Sequence, residues 1–480
     1  MNTMKKTLFL LAVLLSACHA LAQTMEEAFK TAEQIVQNIK KTQFPDRTFR
    51  ITDFGAVAGN PEKLNHEAIN LAILACNQAG GGTVIVPAGD FYTGPITLKS
   101  NVNLHLEEGA TLKFTTDQSY YFPAVITRWE GIDCYNAHPL IYAYGETNIA
   151  LTGKGTVDGQ GSPDAWWYMK GGRFAKEGKR TQLMGGRDRL FGLAETFAPI
   201  DQRIMTPEDA LRPQLVNFYR CNAALIEGVT LKNSPFWVIH PLFCENLIVR
   251  NVTINGLGPN NDGCDPESCK NVLIEGCSFN TGDDCIAIKS GRNADGRRWA
   301  TPSENIVVRN CRMQNGHGGV VIGSEISGGY RNLYVENCEM NSPLLDRVVR
   351  IKTSNCRGGI IENVFVRNVK VGVCNEAVMR INLQYENKEK CDRSFPPVVR
   401  NVNLENITCE KSKFGILING LDEDDNIYDI NIKNCQFNNV LSKGNKLTGK
   451  YHNIHFDNLK INGKTVKKVE SNAEGDFEIF

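Results

Sequence analysis

This chain of 480 residues has no excess of charge of either sign: 53 Lys and Arg offset 53 Asp and Glu, for a formal net charge of zero. That balance argues against a surface built to coat nucleic acid or an anionic bilayer, although a local cationic cleft stays open. Long apolar runs are lacking too. The stretch Leu8 to Leu15 is too short to span a bilayer and nothing later resembles a transmembrane helix, so no membrane span is expected. Strict heptads and sustained helical periods are also missing, which counts against a coiled coil or a helical bundle.

The N-terminus does carry an export pattern. Lys5 and Lys6 precede the apolar run, and Ala20-Leu21-Ala22 precedes Gln23 as a small-x-small cleavage signal. Residues 1–22 are therefore read as a signal peptide. The alternative is a lipid anchor at Cys18, because Leu15-Ser16-Ala17-Cys18 resembles a lipoprotein signal. Either route predicts a periplasmic or secreted protein. Sixteen cysteines would suit a disulfide scaffold in such a compartment, but an odd number remains once Cys18 is set aside. Cys277, Cys311, Cys338 and Cys435 close equivalent phrases, IEGC, VRNC, VENC and IKNC, which predicts a buried stack of small side chains. Cys264, Cys269 and Cys285 are candidates for a local bridge.

Length alone suggests two or three domains, but repeat folds escape that expectation because they grow by stacking. Met25 to Lys41 has apolar residues at helical spacing within an N-terminal segment, 23–48. A second helical stretch, His66 to Gly80, is placed to cap the open end of a strand stack. Beyond residue 220 a phrase recurs: NLIVRNVTI (246–254), NVLIEGCSF (271–279), NIVVRNCRM (305–313) and NLYVENCEM (332–340), with similar phrases to about residue 461. Short alternating strands with Asn at the turns, where Asn tolerates left-handed backbone, predict an all-β, single-stranded right-handed parallel β-helix over 49–461 with a short N-terminal helical cap. Residues 462–480 are left as a tail. The segment 162–212 breaks the rhythm with Trp166, Trp167, Tyr168 and many Lys and Arg. It reads equally as a lid or as a surface flap.

Three carboxylates carry the chemistry. Asp262 in NNDGCD precedes Asp283 and Asp284 in GDDC by about one coil, so stacking would gather them in one patch about 4.8 Å apart along the axis. Glycoside hydrolysis needs one carboxylic acid to protonate the leaving oxygen and another to activate water or attack. Crowding raises carboxylate proton affinity, so one of the three is expected to stay protonated. Neighbours on an ideal strand point to opposite faces, and Gly282 is expected to bend the chain so that Asp283 and Asp284 both face solvent. His317 in NGHGG, Arg350 and Lys352 in RVVRIKT, and Tyr385 in INLQY follow at offsets that place them above the acids on one wall. Two adjacent cations need an anion, either these acids or a carboxylate on the ligand.

These motifs, NNDGCD, GDDC, GHG and RIK in that order, resemble the signature of the polygalacturonases, the family 28 glycoside hydrolases, and the resemblance runs from ITDFGA to about residue 460. It implies a β-helix that hydrolyses α-1,4 links between galacturonates in pectin or oligogalacturonides, with inversion and with neither metal nor cofactor. By the same resemblance Asp283 is the general acid and Asp262 with Asp284 activates water. His317 supports the acid's protonation, Arg350 and Lys352 grip the galacturonate carboxylate, Tyr385 contacts sugar, and Asn260 opens the signature in the substrate site. Asn261 stands where the family usually has Thr. The long turn after GDDC, with Arg297, Arg298 and Trp299, and the 162–212 insertion resemble members that act on chain ends. Two related readings are weaker. A rhamnogalacturonan hydrolase commonly carries Glu at the second acid of the pair, and a pectate lyase needs calcium, for which Asp422 to Asp425 reads better as an acidic surface turn. A β-helical protein that only binds polysaccharide has no reason to align three acids, a histidine and two cations.

Overall fold

The computed structural model describes residues 23–385, 389–442 and 444–466, with the backbone of the strand Gly475–Phe477. The expected signal peptide and Cys18 lie outside the described residues. The repeat phrases fold as rungs of a right-handed parallel β-helix. One apolar residue from each rung pairs with its counterpart in the next: Leu247 on Val272, then Ile306, Leu333, Val364, Val402, Ile430 and Ile454. All eight are buried. Side chains on a strand alternate between faces, so a slip of one residue would turn this column outward; the pattern itself sets the register.

Asparagine makes the corners. Asn271, Asn305, Asn332, Asn363 and Asn401 all adopt left-handed backbone, and each amide from Asn305 onward donates to the side-chain oxygen of the one below, at 3.0, 2.9, 3.0 and 2.8 Å. The ladder satisfies side chains that a tight turn would otherwise leave half-bonded. Cys277, Cys311, Cys338 and Cys435 are buried in the core as expected. The local bridge among Cys264, Cys269 and Cys285 does not form: all three are free, and the disulfide joins Cys356 to Cys391. The three are separate inward-facing packing units, so their closeness in sequence does not bring their sulfurs into bonding geometry.

The two N-terminal helices have different jobs. Helix α1, Met25–Asn38, starts with a Thr24/Glu27 capping box and lies along the outer wall, where Phe29 meets Tyr334 and Phe365. Helix α2, His66–Gln78, buries Ile69, Ala72, Ile73 and Cys76 against the first rungs and so covers the open end. At the other end, Gly475–Phe477 pairs antiparallel with Asn445–Leu447. No helix among the described residues is long and apolar enough to cross a membrane.

The 162–212 insertion is anchored rather than loose. Trp166 is buried edge-on to Tyr121, and the Trp167 indole donates to the Ser234 carbonyl at 2.9 Å. The insertion's helix α3, Gly186–Glu195, packs on α4, Asn293–Trp299, which forms in the long turn after the acids. Buried Arg203 pairs with Asp295 at 2.9 Å, so the two irregular segments hold one another.

Candidate active site

Four strands of one sheet set the site: β1, Ile286–Ile288; β2, Val320–Gly323; β3, Arg347–Lys352; and β4, Ala377–Asn382. They stack in parallel, Ile286 on Val320, Val320 on Val349 and Val349 on Met379. Cys264 bridges to Ile286 from the rung below. Asp262 and Asp284, each two residues earlier, therefore hold equivalent places on successive rungs. One oxygen from each of Asp262, Asp283 and Asp284 lies within 4.8 Å of the others.

Glycine permits the approach. A Cβ on Gly282 would stand 2.3 Å from the Gly258 carbonyl oxygen, and one on Gly316, whose φ is +87°, 2.0 Å from that of Asp283. Gly282 is thus required by contact with the turn below. The expected shared exposure of Asp283 and Asp284 is not realised. Asp284 is buried in the wall, while the Asp283 side chain, 16% exposed, faces the cleft. The bend does form at Gly282 and Asp283, before the strand begins at Ile286, and it gathers both carboxylates into one patch without exposing both.

Asp284 takes Lys352 Nζ at 2.6 Å and Arg350 Nη1 at 3.3 Å, so the first partner of the two cations is an acid of the site. Both cations also act on Asp283, and Arg350 Nε has no hydrogen-bond partner among the described residues. Tyr385 lies with its ring centroid 5.5 Å from the Arg350 guanidinium and 5.4 Å from Lys352 Nζ. His317 Nδ1 is 3.0 Å from Asp283 Oδ1, and that hydrogen bond and charge hold the imidazole above its ordinary range. For Asp283 burial pushes upward, but the His317 hydrogen bond and charge, with Lys352 and Arg350, outweigh it and hold the carboxyl well below the usual range. The raised proton affinity expected of one acid falls on Asp262, through burial first and then Asp265 and Asp283.

Asn260 accepts from buried Arg212 at 2.8 Å and lines one cavity with Asp283 and His317. Asn261 is structural: its amide donates to Ser234 and Phe236 carbonyls at 3.0 Å each, and its oxygen accepts from Gly258 at 3.2 Å. It ties the turn carrying Asp262 to the rung below. The run Asp422–Asp425 is exposed, and Asp425 pairs with His452 at 2.7 Å, which suits a surface turn.

The comparisons with known proteins point the same way. The description "Glycosyl hydrolases family 28" matches residues 205–443. An exopolygalacturonase from Thermotoga maritima is 42% identical, with a TM-score of 0.88 over 94% of this chain and all of that one. The chain belongs to the family 28 glycoside hydrolases. An exo-poly-alpha-D-galacturonosidase from Dickeya chrysanthemi is 27% identical over 458 residues, 88% of this chain and 74% of its own. A family 28 exopolygalacturonase from Yersinia enterocolitica, 23% identical over 88% of this chain and 79% of its own, shares the fold with a TM-score of 0.68.

In this family 28 glycosidase, residues outside the expected set complete the floor of the site. Lys289 is buried, 3.2 Å from Glu325 and 3.9 Å from Asp262, with its ammonium 4.5 Å from the centre of the Trp237 ring. Asp265 is fully buried, neither oxygen has a hydrogen-bond partner among the described residues, and burial pushes its carboxyl well up. Arg212 grips the Pro235 and Pro259 carbonyls at 3.0 and 2.8 Å, and burial pulls its pKa down to about 9. A lysine ending the apolar run Ile286-Ala287-Ile288 was the readable signal for Lys289. Arg212, far away in sequence, left none.

Proposed function

We propose that the enzyme removes short products from one end of homogalacturonan or oligogalacturonides by inverting hydrolysis of α-1,4-galacturonosyl links. The observation that carries the reading is the Arg350 and Lys352 pair beside the acids, with Arg350 Nε still without a partner among the described residues, since a sugar bearing its own carboxylate can accept from it. At rest the shared proton of the Asp283/His317 pair sits on the imidazole. A substrate carboxylate meeting Arg350 and Lys352 offsets the charges that depress Asp283, so Asp283 takes up the proton and delivers it to the glycosidic oxygen. Asp262 and Asp284 hold the attacking water and receive its proton as a pair. Tyr385 and Asn260 flank the sugars. The positive charge around the acids comes from side chains, and no metal step is invoked. Chain-end action is supported by the anchored insertion, which lines the cavity on the side of the earlier rungs.

One digestion tests all three parts. Purified enzyme on a defined oligogalacturonide should yield a single short product from the start, first seen by NMR as the β anomer. A ladder of sizes refutes chain-end action and an initial α anomer refutes inversion. No new reducing ends from it, polygalacturonate or rhamnogalacturonan would sink the hydrolase reading.

The raised His317 predicts an alkaline limb in kcat/KM above the ordinary histidine value of about 6.5. The catalytic proton is fully held below that value and lost as pH climbs through the raised one. In His317→Asn, activity should fall about 10²-fold and the alkaline limb should move to lower pH, because a lone carboxyl gives up its proton sooner. An unmoved limb would separate His317 from the acid. Export is part of the same proposal, supported by the N-terminal pattern and by the Cys356–Cys391 disulfide.

A further inference from the structure

The cavity holding Asp283 and His317 has a volume of about 310 Å³, near the lower end for ligand sites. Its wall on the side of the earlier rungs comes from the insertion, through the short turns Trp167–Lys170 and Gly172–Phe174. Lys170 and Arg173 both line it. Neither forms an ion pair with a carboxylate among the described residues; of the other cations of the insertion, Lys176 closes on Asp164, Arg187 on Glu130 and Arg189 on Asp209, while Arg180 donates to the Glu208 carbonyl outside the cavity. The segment is held in place. Trp167 bonds to the Ser234 carbonyl, Met169 is buried, and the Gln182 backbone N–H donates to the Met169 carbonyl at 2.8 Å. Lys170 is itself half-buried. Arg173 is exposed at the rim of the cavity, so both cations stay open to an anion that enters it.

We infer that Lys170 and Arg173 form a second carboxylate clamp, which binds the galacturonate on the opposite side of the scissile bond from the one held by Arg350 and Lys352. This rests on the galacturonosidase reading and deepens it. Each sugar flanking the cleaved bond carries one carboxylate. The site places one cation pair on each side of the acids, the first on the insertion seated over Ser234 and Pro259, the second on β3, two rungs past Asp284 along the stack. The enzyme therefore recognises two adjacent free uronates, and a methyl ester on either should be rejected.

The test uses trigalacturonates methyl-esterified at one defined unit, with the cleaved bond identified from the products. Wild-type enzyme should lose about ten- to a hundredfold in kcat/KM when the ester sits on either unit flanking that bond. In Lys170→Gln/Arg173→Gln the penalty should vanish at one flanking unit and persist at the other, while KM for the unesterified trimer rises. A purely structural role would lower activity on every trimer alike and leave both penalties in place, which overturns the clamp. Wild-type enzyme inert on the unesterified trimer would overturn the galacturonosidase reading, and the clamp with it.

Discussion

Asp283→Asn is expected to lower kcat by about 10³-fold or more while leaving the affinity for an oligogalacturonide within a fewfold of wild type. The reason lies in its two neighbours. Asp283 is the one acid facing the cleft and bonded to His317, so it alone can pass a proton between imidazole and substrate; an amide cannot. The carboxylate makes no buried ion pair that the fold depends on, because Lys352 and Arg350 close on Asp284 instead. Single-turnover rates and calorimetric binding on the same variant separate the two effects. Retention of most activity would refute the assignment, and loss of binding in step with activity would recast Asp283 as a ligand contact.

Lys289→Met should cost about 3–5 kcal/mol of stability, as expected when one partner of a buried ionic cluster is removed. Its ammonium is 3.2 Å from Glu325 and 3.9 Å from Asp262, and Asp265 lies close enough to raise its proton affinity further. Burial works against Glu325, yet Lys289 and Arg292 hold it well below the usual carboxylate range. A depressed carboxyl stabilises the fold above its unfolded value, about 4.3, and the stabilisation is lost as pH falls through the folded value. The variant should thus be most penalised near neutral pH and least in acid. Adding Glu325→Gln should restore part of the loss, since two adjacent defects in one network are not additive. Denaturant unfolding of the single and double variants at two pH values checks the cycle. Equal losses at both pH values would mean Lys289 contributes packing alone.

Much of this was readable in advance, for a definite reason. A parallel stack repeats one environment, so each rung writes the same phrase: an apolar alternation, then Asn at the corner and Val, Ile or Cys at the bend. The ladder from Asn271 to Asn401 and the buried Cys277, Cys311, Cys338 and Cys435 followed from that repetition. Asp262, Asp283, Asp284 and His317 stood out because acids and an imidazole beside glycines interrupt it. The irregular parts were less legible. Trp166 and Trp167 were visible as an oddity, but their anchoring on Tyr121 and Ser234 depends on contacts dozens of residues away. Apolar residues at helical spacing announced α1 and the stretch from His66 was placed as the cap, although nothing local said that α1 would lie along the wall.

The amino-acid sequence by itself determined the coil, its corners and the gathering of three acids with a histidine and two cations, because period-2 burial and left-handed Asn are local constraints repeated on every turn. Only the tertiary structure decided how charge is shared among them. Proton affinity depends on burial and on distances of a few ångströms, and neither is written along the chain. Those distances bury Asp284 under Arg350 and Lys352, give the raised proton affinity to Asp262, put the proton of the Asp283 pair on His317, and bring Lys170 and Arg173 from a remote insertion to the other side of the cleft.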